Sequence, residues 1–391
     1  MNGGQSLPCI WGYTTDSIKI LEASQRARIN RYTLLPSFTG GMEIGVVLLN
    51  FGEPAEPERE RVVEYLTRIF LNNAELDGAD TEAERQARSR QLAERRAPGL
   101  IEEYETIGGS PLNEQSEAQR VGLQKTLADR GYDVTTYLGF QFVEPTIEDV
   151  VHEAHADGIE HLIGLPIYPL CGPSTTVDAL EDMAAAVEGI DDWDPDVDEV
   201  TGWHRHPTYN RIRAEAIATT ANQAGVDLQA PETELVLSAH GTPRHYLDEG
   251  SRYDVYVEEF SEALTGMLDV EEYTVGFQNH ANRDIAWTEP EIEHAIETVD
   301  AERVVVDPIS FMHEQSETLS ELDEELREAA EAEALEFHRV PVPHDDDRFP
   351  DVLADLVEPF IADFDAGYYQ FRPCQCRDDP NAMCLNAPRP N

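Results

Sequence analysis

Lysine is almost missing from this chain: only Lys19 and Lys125 occur, so nearly all positive charge is arginine. Positive charge as a whole is scarce, with 28 Lys and Arg against 78 Asp and Glu and a formal net charge of −50. A surface this acidic repels phosphates and anionic lipids, which excludes nucleic acid and an anionic membrane as expected partners. No apolar run approaches the roughly 20 residues that span a bilayer, so no transmembrane segment is expected. The opening stretch lacks both the basic and the apolar regions of a signal peptide, which points to a cytoplasmic protein. Cysteine is sparse, five residues in all, and a reducing cytoplasm leaves no disulfide framework to expect.

What is present is acid, spread along the chain and not gathered in a tail. Such charge becomes tolerable where concentrated salt cuts the Debye length to about 3 Å or less. The composition therefore reads as salt adaptation of a halophile's cytoplasm, with a partner-specific acidic surface as the alternative. A hydrophobic fraction of 41% over 391 residues is enough for two packed α/β halves.

The core pattern begins at Met42, a candidate initiator, and residues 1–41 read as an extension without a clear period. Short apolar runs at 43–51, 133–140, 161–168, 233–240, 273–278 and 303–311 predict strands. Helical spacing appears at 58–69, 115–127, 147–155, 211–223, 255–268 and 317–332. That alternation predicts α/β architecture: two similar Rossmann-like halves, each a parallel sheet flanked by helices, with a cleft between them. The expected division is 42–200 and 201–370, crossing within the acidic 188–207 stretch, followed by a cysteine-bearing tail at 371–391. Ligands of such sheets sit beyond the carboxyl ends of the strands, so the residues that close each run matter most.

Two of those ends carry chemistry. The strand at 233–240 closes on His240, followed by Gly241 and Pro243, where an imidazole meets a ligand and takes protons near neutral pH. A backbone-bonded core histidine is the competing reading. After 303–311, Glu317, Glu321 and Glu325 recur every four residues and stack on one helix face. A solvated acidic face is the ordinary explanation, but Glu317 stands where a cleft is expected.

The strings SAHGTP (238–243) and PISFMHEQSETLSELDEE (308–325) resemble the two signature segments of the ferrochelatase family. VVLLNFGEP (46–54), RRAPGLIEEYETIGGSPL (95–112), YLGFQFVEPTIEDVV (137–151) and WTEP (287–290) follow the family's order, and the resemblance covers about 43–365. It implies insertion of ferrous iron into a porphyrin in haem synthesis, with loss of two pyrrole protons and no cofactor required. It further implies His240 as base and metal contact, Glu317 as its partner across the ring, and Glu321 and Glu325 as an acidic path. Porphyrin and Fe²⁺ are then the partners. Phe51, Arg68, the Gly108-Gly109-Ser110-Pro111 loop, Phe142, Trp287 and Gln315 would shape the cleft, and Arg68, Arg95 or Arg96 would answer porphyrin carboxylates.

The chain departs from the family in places. Gln315 stands where many members carry a second histidine, and His313 is shifted by two. Phe51 replaces a tyrosine of coproporphyrin-using relatives, which favours protoporphyrin IX, whereas VEPTIEDVV resembles the coproporphyrin III group. Residues 279–286 replace a serine-containing loop. A related cobalt or nickel chelatase, and a porphyrin or haem carrier without turnover, remain alternatives on the same residues.

Three of the five cysteines, Cys374, Cys376 and Cys384, fall near the carboxyl end, and Cys171 precedes a Ser174-Thr175-Thr176 segment. Together they supply four thiolates, enough for an iron–sulfur centre or zinc. The resemblance implies a [2Fe–2S] cluster, as in some ferrochelatases, although the spacing differs from theirs; a tail with free thiols is the third reading.

Overall fold

The computed structural model describes residues 42–72, 81–279, 285–362, 364, 367, 370–377 and 379–385, and ten strands lie among them in two sheets. The expected extension at 1–41 falls outside the described residues, as do 280–284 of the divergent loop.

Strand β1 (Ile44–Asn50) pairs in parallel with β2 (Val134–Phe140) on one side and β3 (His161–Pro166) on the other, and β3 pairs with β4 (Asp196–Val200). Helices cover both faces of this sheet, which is why Val46, Val47, Leu48 and Leu49 are all completely buried in a row. The second sheet runs β6 (Tyr273–Gln278), β5 (Thr233–His240), β7 (Arg303–Pro308), β8 (Glu336–Arg339), all parallel. This is the expected architecture of two parallel-sheet halves. The helix Phe349–Ile361 follows the second sheet but packs on Leu112–Asp129 of the first half. Arg130 fastens that contact, bonding Asp351, Asp355 and Glu358 at 2.7–2.8 Å.

Two expectations need correction. The stretch 188–207 is not only a crossing, because β4 lies inside it; its acidic DVDEV pattern hides the strand from an apolar search. Nor do the described residues of the 371–391 tail lie past the fold. Its strands β9 (Arg372–Pro373) and β10 (Ala382–Cys384) extend the first sheet, β10 pairing with β4. Glu199, almost fully buried on β4, grips Arg377 through both carboxylate oxygens, so an ion pair as well as ladder bonds docks the segment.

The helix expected at 317–332 begins as ten residues of wider, π-type winding, Glu317–Leu326, and tightens into Arg327–Ala332. A second short π-type turn, Pro173–Val177, follows β3. Such widening is rare and concentrates at functional sites.

One buried ion pair sets the geometry of the second sheet's working end. Arg213, from the helix Pro207–Ala224, donates to Asp307 Oδ2 at 2.7 Å, to the Pro308 carbonyl at 2.9 Å and to the Phe311 carbonyl at 3.2 Å. Both partners are wholly buried. Arg213→Met is expected to destabilise the fold by about 3–5 kcal/mol, because it strands a buried carboxylate. Adding Asp307→Leu should restore much of that loss; denaturant unfolding checks both.

Candidate active site

β5 and β7 are parallel neighbours, so their carboxyl ends open side by side. β5 ends on His240, whose backbone N–H donates to Ser310 Oγ at 2.8 Å and whose carbonyl accepts from Tyr253 Oη at 2.9 Å. The next residue has to be glycine: a Cβ on Gly241 would stand 1.9 Å from Asn279 Oδ1 and 2.7 Å from the Gln278 carbonyl. This close approach ties the loop after β5 to the end of β6, where the Gly241 N–H meets the Gln278 carbonyl at 2.7 Å.

The His240 ring is oriented from behind. Its Nδ1 lies 2.6 Å from the Gly241 carbonyl and therefore carries a proton, leaving Nε2 toward Glu317 Oε1 at 3.1 Å. The other carboxylate oxygen, Oε2, accepts from Gln315 Nε2 at 2.6 Å. Gln278 Nε2 binds the Glu317 carbonyl at 3.1 Å and Glu321 Oε2 at 3.0 Å, while its oxygen accepts from Ser238. Glu317 and Glu321 are half-buried and Glu325 is exposed, so the ladder runs from the cleft to solvent.

Burial opposes charge on His240, but the Glu317 and then Glu321 carboxylates win and lift it to about 9. Burial, then Glu317, raises Glu321 to about 8. The carboxylates thus favour the charged form of the imidazole, while burial and Glu317 favour the protonated form of Glu321. His313 behaves differently: burial, then His344, drops it to about 3. It sits in a buried polar knot, 3.3 Å from Asn50 Nδ2 and 2.8 Å from Gln119 Oε1, joining the two halves as a neutral ring.

His240, Tyr253, Ser310, His313, Gln315 and Glu317 line a cleft, open to solvent, between the carboxyl ends of both sheets. Phe51, Phe142, Trp287, Gln315, His240 and Glu317 all border it, and Phe51 packs on Phe142 with ring centroids 4.5 Å apart. Arg68 does not; it pairs with Glu64 at 2.8 Å in an adjoining polar groove. Arg96 pairs with Glu103 at 2.8 Å on the helix Glu82–Ile107, which also carries Arg95, and neither arginine borders the cleft. The Gly108–Pro111 loop also stands back from the lining, and Ser110 instead bonds the buried carboxylate of Glu53. Sequence reading missed Glu53, Tyr253, Gln278 and Ser310. Of these, only Glu53 and Ser310 lie inside motifs already singled out, and Gln278 closes a predicted strand.

Behind the cleft lies a thiol cluster. The Sγ atoms of Cys171, Cys374 and Cys376 fall within 4.8 Å of one another. Cys171, then Cys376 and Cys384, hold the Cys374 thiol well below its ordinary range by hydrogen bonding to it. Cys171 is buried directly before Gly172, which borders the cleft, and Tyr256 Oη reaches Cys376 Sγ at 3.3 Å. The docked carboxyl-terminal segment thus brings Cys374 and Cys376 to Cys171, with Cys384 hydrogen-bonded to Cys374.

Among known proteins, the family model described as Ferrochelatase matches residues 43–360. The ferrochelatase of Synechococcus sp. (strain RCC307) is 33% identical over 329 residues, covering 82% of this chain and 83% of that protein. That of Nostoc punctiforme is 32% identical over 327 residues, covering 80% and 81%. Among solved structures, SirB from Bacillus subtilis with Fe³⁺ superposes with a TM-score of 0.46 at 12% identity, covering 83% of this chain and 99% of that one.

Replacing Glu317 tests the charge balance. In Glu317→Gln the burial of His240 is less well answered, so its titration should move from about 9 toward neutrality. The linkage follows the sign of a raised imidazole: the stability it lends is full below about 6.5 and is lost as pH climbs through about 9. Imidazole NMR of the two proteins across pH 5–10 checks the shift.

Proposed function

The chain belongs to the ferrochelatase family, and on that premise we propose that it inserts Fe²⁺ into a porphyrin and releases two protons at the His240–Glu317 pair. The observation that supports this best is the pair itself: an imidazole Nε2 and a carboxylate facing each other at 3.1 Å inside an aromatic-lined cleft. A neutral imidazole takes pyrrole protons, and a carboxylate meets a divalent cation.

The charge balance supplies an order of events. Before iron arrives, Glu317 keeps His240 protonated and useless as a base. A divalent cation at Glu317 cancels the charge that raised the imidazole, and His240 sheds its proton. Glu321, raised to about 8, exchanges protons near neutral pH and hands them toward exposed Glu325. Gln315, which cannot titrate, fixes the Glu317 carboxylate by its 2.6 Å bond. The same cleft would hold the macrocycle against Phe51, Phe142 and Trp287, orienting ring nitrogens toward the pair.

Cys171, Cys374, Cys376 and Cys384 supply the four thiols that a [2Fe–2S] cluster takes, three of them with Sγ atoms within 4.8 Å of one another. Such a cluster would link the carboxyl-terminal segment to the segment after β3; insertion itself transfers no electrons. Protein purified anaerobically is expected to show cluster absorption and, once reduced, an electron paramagnetic resonance signal, both lost in Cys376→Ser. Zinc without iron or sulfide in elemental analysis would contradict the cluster.

The acidic composition supports work in concentrated salt, so metallation is measured anaerobically in concentrated KCl. Fe²⁺ is offered with protoporphyrin IX and, separately, with coproporphyrin III, with Co²⁺ and Ni²⁺ as rivals. Turnover with Fe²⁺ that falls by about a hundredfold or more in His240→Ala, with porphyrin binding retained, is the expected result. Faster Co²⁺ or Ni²⁺ insertion would favour the related chelatase, and tight porphyrin binding without turnover would leave a carrier.

A further inference from the structure

Glu53 is a carboxylate buried where both halves meet, 3% exposed, on the loop that leaves β1. Its two oxygens face donors. Oε1 accepts from Tyr104 Oη at 3.1 Å and from Ser316 Oγ; Oε2 accepts from Ser110 Oγ and from the Ser316 N–H at 3.2 Å. Its backbone is held as well, N–H to Asn113 Oδ1 at 3.0 Å and carbonyl to Asn113 Nδ2 at 2.7 Å. Tyr104 and Ser110 belong to the first half and Ser316 to the loop after β7, so one side chain bonds both. Ser316 immediately precedes Glu317.

Four donors occupy the acceptor positions that a metal would need, so Glu53 is not read as a ligand. The cleft is bordered by Glu317 and not by Glu53. What Glu53 can do is fix the residue before Glu317 against the Gly108–Pro111 loop, which gives that loop an influence on the site although it does not line it. We infer that Glu53 is the positioning residue for Glu317, holding the carboxylate at its distance from His240 across the join between the halves. The inference deepens the chelatase reading and rests on it.

Metallation of the full chain is compared in wild type, Glu53→Gln, Ser316→Ala and the double variant, in concentrated KCl and per porphyrin-binding site counted by fluorescence titration. Gln keeps the length of Glu but turns one acceptor into a donor. The kcat of Glu53→Gln should fall about tenfold or more, with the porphyrin KM within about threefold of wild type. Ser316→Ala should show a smaller fall of the same kind, and the double variant should be little slower than Glu53→Gln, because the two act as one unit. A kcat per site equal to wild type in Glu53→Gln overturns the inference, as do losses that multiply in the double variant or a kcat lost in step with porphyrin affinity. If Glu53→Gln does not fold, Ser316→Ala decides: a lower kcat at unchanged KM supports the inference, and an unchanged kcat overturns it. Wild type that metallates with no ion removes the chelatase reading instead.

Discussion

His240 and Glu317 meet because β5 and β7 lie side by side in one register, Ser238 opposite Pro308. That register puts Ser310 under the His240 backbone and starts the loop that returns Glu317 to the imidazole. A slip of one residue along β5 would turn His240 to the opposite face of the sheet. Arg213 guards against this by holding Asp307, Pro308 and Phe311 together from beneath. The ion pair is costly to bury, but it fixes where β7 ends, and the site inherits that precision.

Charge is used economically for so acidic a chain. Several of its arginines tie elements together through carboxylates: Arg130 collects three acids of a packed helix, Arg339 meets Glu314 and Asp323, and Arg377 meets Glu199. Glu317, by contrast, is answered by an imidazole and an amide. An arginine there would hold the carboxylate permanently and compete with a cation. A titratable partner lets the pair exchange a proton for a metal.

The six predicted strands were legible because parallel strands buried on both faces leave apolar runs, and all six recur, β5 and β6 with the predicted ends and the others shifted by at most three residues. β4 was not legible, since its DVDEV sequence looks like solvent-facing acid, and its place is fixed by β3 and the carboxyl-terminal segment. β9 and β10 are two and three residues long and pair with partners distant in sequence, beyond any local pattern. The helix Glu82–Ile107 is polar on most of its turns and buries only a thin stripe, including Ala93, Ala97 and Tyr104. Of the site, strand-end position and resemblance together pointed to His240 and Glu317. They did not reveal Glu53 or Tyr253, whose roles come from contacts across 263 and 13 residues of chain.

The claim on which the account turns is that the His240–Glu317 pair receives the metal. Anomalous diffraction from crystals soaked anaerobically in Fe²⁺ tests it at atomic resolution. The account predicts an iron peak between His240 Nε2 and Glu317, with their direct hydrogen bond replaced by the ion. Iron bound elsewhere in the cleft, with that hydrogen bond intact, would contradict it.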